Sequence, residues 1–294
     1  MFKHLVFTLL LIGCLTACKK EIDFEYHEVE SFVVIEGQVT NEGTEVLITR
    51  SRSVTDSVKG RCLPGATVRI TATGVDETIA YDAAAQCYRS VFKGTVGETY
   101  TLTVDFEGHQ YTGTSTMPPP APILSAEFLW FSMLNERMVV YELWATDSRP
   151  TERNYYWYRM DRKSSHPHFL DKVTTEPYAW SVFDNRGNPP GLLYRDIFCM
   201  SERTAQEDEE DNWKRILYDG DVITFRLMAI DRPTYEYLTS LRAGQSGGAN
   251  PKTNLTGGCA GYFTAASVTR TAPVVFSYKD VKQEASFKAT ENQK

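Results

Sequence analysis

The sequence predicts a mainly β protein built in two parts, with one short helix. Three observations carry that prediction. Thr, Val, Tyr and Phe recur in short runs bounded by Gly, Pro, Asn and Asp, the punctuation of strands and turns. Long amphipathic helical patterns are scarce along the 294 residues. A proline block, Met117-Pro118-Pro119-Pro120-Ala121-Pro122, divides the strand-rich chain, and its missing amide donors exclude a central strand there.

Residues 1–17 read as an export signal. Lys3 and His4 precede an apolar run from Leu5 to Leu15, which is shorter than the roughly 20 residues that cross a bilayer. The run ends in Leu15-Thr16-Ala17-Cys18, which resembles the bacterial lipobox. That resemblance implies removal of residues 1–17 and a diacylglycerol on Cys18, so the mature chain is anchored to a membrane and not threaded through it. Residues 18–30 are polar and charged, and read as a lipidated tether without a core.

Residues 31–116 form the first predicted domain. Phe32 to Thr40 and Glu45 to Arg50 flank the turn Asn41-Glu42-Gly43, and Pro64-Gly65 leads into Ala66 to Ala72, where Val68 and Ile70 alternate with polar neighbours. Tyr88 to Phe92 follows. Thr99 to Phe106 and His109 to Thr114 enclose Glu107-Gly108 and read as a hairpin. Seven short strands in about ninety residues is the count of an immunoglobulin-like or transthyretin-like sandwich.

Residues 117–122 are expected to be a stiff linker and 123–280 a second antiparallel β domain. Its strands are Ile123 to Phe131, Met138 to Thr146, Tyr155 to Asp161, Val222 to Ile230 and Tyr262 to Val268. A helix is predicted from Pro233 to about Arg242, opened by Asp231 and closed by Ala243-Gly244. Between Asp161 and Lys214 the expectation is loops, and 281–294 reads as a polar tail.

A net charge of −7 and the absence of any Lys/Arg block leave a nucleic-acid partner without its electrostatic footprint. Six cysteines are present. With Cys14 removed and Cys18 lipidated, Cys62, Cys87, Cys199 and Cys259 remain, an even set in an exported protein. The domain division pairs Cys62 with Cys87 and Cys199 with Cys259, with free or buried thiols as the alternative.

Candidate chemistry is sparse, and neither a catalytic constellation, a metal site nor a cofactor is expected. Gly244-Gln245-Ser246-Gly247-Gly248 matches a nucleophile-elbow pattern, but Ser246 follows a helix instead of preceding one, so a hydrolase is the weakest reading. His166-Pro167-His168 supplies half of a closed metal set. The acidic run Glu207 to Asp211 lacks the spacing and turn glycine of a calcium loop. Aromatic residues remain. Tyr155-Tyr156-Trp157-Tyr158 places rings on both faces of one strand, and Trp130 and Trp144 come from neighbouring segments. If one face of that strand is packed, the other exposes rings able to stack on sugars or anchor a protein, which makes Tyr156, Trp157, Tyr158, Trp130 and Trp144 the binding candidates.

The lipobox with Lys19-Lys20-Glu21-Ile22-Asp23, the strand Val34-Ile35-Glu36-Gly37-Gln38-Val39-Thr40, Gly65-Ala66-Thr67-Val68, and Gly97 to Val104 with Thr116-Met117-Pro118 resemble segments of one family. So do Gly220-Asp221-Val222, Tyr235 to Leu241 and Gly257 to Phe263. It is the outer-membrane lipoprotein family of domain of unknown function 4249. The resemblance implies an accessory to a TonB-dependent outer-membrane transporter in nutrient uptake, with no catalytic residues to carry over. Lys19 to Asp23 also resemble a surface-export signal, which implies the cell surface over the periplasmic side. The rival expectation is a stand-alone surface lipoprotein that binds glycans or peptides.

Overall fold

The computed structural model describes residues 31–51, 60–133, 136–164, 166, 175–200, 215–244 and 251–283. Cys18, the tether, His168, the acidic run 207–211 and Ser246 lie outside the described residues.

The protein is mostly β. The first part contributes β1 (Val33–Thr40), β2 (Thr44–Arg50), β3 (Thr67–Ala72), β4 (Val75–Ile79), β5 (Tyr81–Asp82), β6 (Cys87–Ser90), β7 (Thr99–Phe106) and β8 (His109–Thr116). Strict alternation shapes them: Val33, Ile35 and Val39 of β1 point into a core with Val68, Ile70, Leu102 and Val104. The turn between β7 and β8 is the one expected, Glu107-Gly108, with φ of 50° and 78°, the two positive values of a type I′ hairpin.

The second part adds β9 (Ile123–Met133), β10 (Glu136–Thr146), β11 (Tyr155–Lys163), β12 (Glu176–Asp184), β13 (Leu192–Cys199), β14 (Val222–Ile230), β15 (Leu255–Thr256), β16 (Ala260–Arg270), β17 (Val274–Val275) and β18 (Lys282–Gln283). Its helix, α1, runs over Arg232–Gly244, within two residues of the expected span at either end. Asp231 caps it: Asp231 Oδ1 accepts the Thr234 N–H at 3.0 Å.

Three sheets result. A nine-stranded sheet runs β12-β11-β14-β16-β1-β2-β6-β5, with β17 on β14, and a five-stranded sheet (β15-β8-β7-β3-β4) and a four-stranded sheet (β13-β10-β9-β18) complete the set. The face of the large sheet that carries Ile35, Val46 and Phe263 packs on the five-stranded sheet. Further along the same face, Tyr156, Met160, Phe225 and Leu227 pack on Val139, Tyr141 and Leu143 of the four-stranded sheet. The opposite face carries Tyr155, Trp157, Met228 and Tyr262, which meet Tyr237 and Leu238 of α1. The molecule is thus two sandwiches that share one long sheet.

Four features differ from the sequence expectation. The first is the return of the chain: β16, counted by position with the second domain, pairs in parallel with β1 from Val34↔Ala260 to Thr40↔Ala266, and Leu255, Cys259 and Phe263 enter the first core. A parallel partner more than two hundred residues away leaves no local trace in sequence. The second is the proline block. It is fastened to β16, where the Ser267 hydroxyl donates to Pro118 O and Thr269 Oγ1 donates to Ala121 O at 2.8 Å, and Met117 and Ala121 are buried. Prolines lack N–H donors, but the block keeps its carbonyl acceptors, and β16 uses those of Pro118 and Ala121.

The third is the expected loop region after Asp161, which holds β12 and β13. Asn185 to Pro190 turns the chain from one sheet to another, between β12 and β13. The fourth concerns sulfur. Cys62, Cys87, Cys199 and Cys259 are free and buried, and neither expected bridge is present. Cys259 belongs to the first core and Cys199 to the second, which separates that pair.

Candidate functional site

Position by position, the aromatic strand β11 is closed. Tyr156 faces the four-stranded sheet, where its hydroxyl donates to Asp147 Oδ1 at 2.8 Å, and Tyr158 stacks on Phe225 at 5.9 Å. Trp157 faces the other way, but α1 covers that side, leaving the indole 7% exposed against Tyr262 at 6.0 Å. The open-face expectation for β11 is therefore corrected: both faces are packed, because the predicted helix lies on the one that was expected to be bare. Trp130 is also buried, between Arg137 at 4.2 Å and the stacked ring of Tyr278.

Trp144 is different. β10 alternates Val139, Tyr141, Leu143 and Ala145 into the core with Met138, Val140, Glu142 and Trp144 on the other side, where Glu142 and Trp144 are half-buried and Val140 is 2% exposed. The register aligns that row with neighbours on both sides. Trp144 stands opposite Ser125 and Tyr194, Glu142 opposite Glu127 and Asp196, and Val140 opposite Leu129 and Phe198. An acidic row, Glu127, Glu142 and Asp196, thus crosses three strands with aromatic rings on each side of it.

At one end Trp144 and Tyr194 lie 4.6 Å apart at 49°; at the other Phe131 and Phe198 meet edge to face at 6.1 Å. Phe198 is 56% exposed. Like charges placed directly opposite on adjacent strands repel, and this row is held by donors: Trp144 Nε1 donates to Glu142 at 2.9 Å, the Tyr194 hydroxyl donates to Asp196 at 2.7 Å, and Lys282 of β18 pairs with Glu127. Burial, with Asp196 and Glu142 adding to it, pushes the Tyr194 phenol up, so it stays a donor at neutral pH. Chemically the face offers ring surfaces for apolar contact and carboxylate oxygens for hydroxyl, amide or cationic groups.

Of the five aromatic candidates, the structure places Trp144 on this face. Sequence reasoning missed Tyr194, Phe198 and Phe131 as its companions. The outward alternation of β10 was a usable signal, whereas the acidic row exists only through strand register. Elsewhere, His166 stacks on Tyr218 at 3.9 Å, and among the described residues no group of three or more His, Cys, Asp or Glu converges in a way that could hold a metal ion.

These features define a β-sandwich protein whose four-stranded sheet turns Trp144, Tyr194 and the exposed Phe198 away from the core. The chain belongs to the family described as domain of unknown function DUF4249, whose profile matches residues 19–272. No curated protein matches it. Among solved structures, it is similar to a DUF4785 family protein from Legionella pneumophila subsp. pneumophila str. Philadelphia 1, at 10% identity and a TM-score of 0.23 over 66% of this chain and 52% of that one. The chain spans about half the length of that protein.

Proposed function

We propose that this is a lipid-anchored outer-membrane binding protein, facing the cell surface, that acts as an accessory to a TonB-dependent transporter in nutrient uptake. The observation that carries the reading is the outer face of the four-stranded sheet, where Trp144, Tyr194, Phe131 and Phe198 flank the row Glu127, Glu142 and Asp196. Exposed aromatic clusters are where protein contacts concentrate their binding energy, and a row of one charge sets register and partner choice. The Cys18 anchor holds the chain at the membrane, with each buried methylene contributing ~0.8 kcal/mol. Gentle detergent extraction followed by affinity purification is expected to recover a β-barrel protein in fixed stoichiometry, and Phe198→Glu to lose it. Recovery of the lipoprotein alone under every gentle condition overturns the reading. Cys18→Ser is expected to release or block processing of the chain, and unchanged membrane association overturns the anchor.

A second reading, a stand-alone glycan binder, is favoured by the Trp144–Tyr194 pair beside Glu142 and Asp196, since ring faces and carboxylates together suit sugar C–H and hydroxyl groups. Glycan-array binding that disappears in Trp144→Ala supports it; an array blank for the native protein removes it.

A further inference from the structure

A cavity of about 600 Å³ lies where the two sandwiches and the N-terminus of α1 meet. Both parts of the chain build it. Val96, Met117 and Pro118 come from the first part and the proline block, and Tyr155 and Ile230 from the ends of β11 and β14. The cavity also takes in three arginines, Arg149, Arg153 and Arg232, and one carboxylate, Asp231.

The charges around it are arranged unequally. Arg149 Nη1 meets Glu152 at 3.1 Å, Arg153 Nη2 meets Asp184 at 2.8 Å and Arg232 Nε meets Glu236 at 2.7 Å, and none of those three carboxylates lines the cavity. Each guanidinium carries five N–H donors, so each keeps donors beyond its bridge. Asp231 is already committed: Oδ1 accepts the Thr234 N–H and Oδ2 accepts the Ser115 hydroxyl at 2.6 Å. The lining therefore presents cationic donors without a free acid to answer them, beside the positive end of α1. The side chains of Arg149 and Arg153 are nearly half exposed and that of Arg232 more so, which leaves the cations reachable from solvent.

The geometry points to this cavity as a binding site for a compact organic anion, an apolar body bearing one carboxylate or sulfonate. The volume falls in the range of small-molecule sites, roughly 300–1,000 Å³, which combine apolar walls with a few placed polar groups. An inorganic anion would leave the wall of Val96, Pro118 and Pro119 unused, and a neutral apolar molecule would leave the three guanidiniums unused. The two requirements together select the amphiphile. The guanidinium of Arg153 sits 5.5 Å from the Tyr155 ring centroid, a cation already seated on an aromatic wall.

Paired fluorescent probes test this on the full mature chain. 1-Anilinonaphthalene-8-sulfonate is expected to bind at a single saturable site, and N-phenyl-1-naphthylamine, the same body without the sulfonate, about tenfold more weakly. Arg232→Gln is expected to weaken the sulfonate about tenfold and leave the neutral probe unchanged. Val96→Trp, which adds bulk at a half-exposed position of the lining, is expected to weaken both, and Arg50→Gln, a cation removed elsewhere on the surface, neither. Melting temperatures identify any variant that fails to fold, and Val96→Trp then stands in for Arg232→Gln. Equal affinity for the two probes, or sulfonate binding that survives both lining variants, overturns the proposal.

Discussion

Gly261 of β16 lies so close to Ile35 of β1 that a Cβ on Gly261 would stand 1.8 Å from the Ile35 carbonyl oxygen. The glycine also holds φ at +110°, a conformation that L side chains rarely adopt. Contact and conformation together reserve this position of the β1–β16 pairing for glycine. Gly261→Ala is expected to destabilise the protein by ~4 kcal/mol or more, the range reserved for steric and backbone failures. Denaturant unfolding measures it; a loss below about 1 kcal/mol would show that the two strands separate easily.

Asp231 ties the helix to the first sandwich. Besides capping α1, it accepts the Ser115 hydroxyl, and Ser115 Oγ accepts the Ala265 N–H at 2.8 Å. Asp231→Ala removes the cap, which costs about 0.5–2 kcal/mol, and strands a buried hydroxyl as well. Asp231→Asn keeps an acceptor for the cap, and because burial pushes the Asp231 carboxyl up, the neutral amide is expected to retain most of the stability. Equal losses in the two variants would refute the capping role.

Glu36 gives a pH dependence. It sits on β1 opposite Tyr262, and burial raises its carboxyl above the ordinary value of 4.5, with Arg159 pulling weakly the other way. The folded protein therefore binds the proton more tightly than the unfolded chain does. Stability from this group is fully present below the unfolded value and is lost as pH rises through the folded one. Glu36→Gln is accordingly expected to raise the melting temperature at pH 7, with the gain fading below about pH 4.5. A gain that is the same at both pH values would point to packing instead.

The thiols should be silent. Burial pushes Cys199 up to about 12 and Cys87 and Cys259 to about 11, and it raises Cys62 too. Maleimide is expected to label none of these four in the native protein and all four in denaturant, without a reductant. Denatured protein that labels only after reduction would restore a disulfide.

Legibility followed locality. The β7–β8 hairpin, the alternation of Val68 and Ile70 in β3, and α1 with its Asp231 cap depend on neighbours in sequence and were readable there. The parallel pairing of β1 with β16 was not, because it joins residues from opposite ends of the chain through a backbone contact that leaves only a glycine behind. The same holds for the candidate site. Trp144 stands out by residue type, but the row of Glu127, Glu142 and Asp196 needs the register of three strands, and the packing of Trp157 needs the helix placed over it. The four cysteines misled for a related reason: an even count fits bridges as well as free thiols, and only packing separates them.

The place of β1 bears on how the protein would carry mechanical load. It is the first strand after residues 18–30, and it lies inside the long sheet with seven residues paired to β16 on one side and seven to β2 on the other. A pull from an anchor at Cys18 along this strand would shear both ladders at once instead of unzipping them bond by bond. Under the proposed Cys18 anchor, tension would then pass through β16 into both sandwiches together, and the long shared sheet would act as a stiff strut.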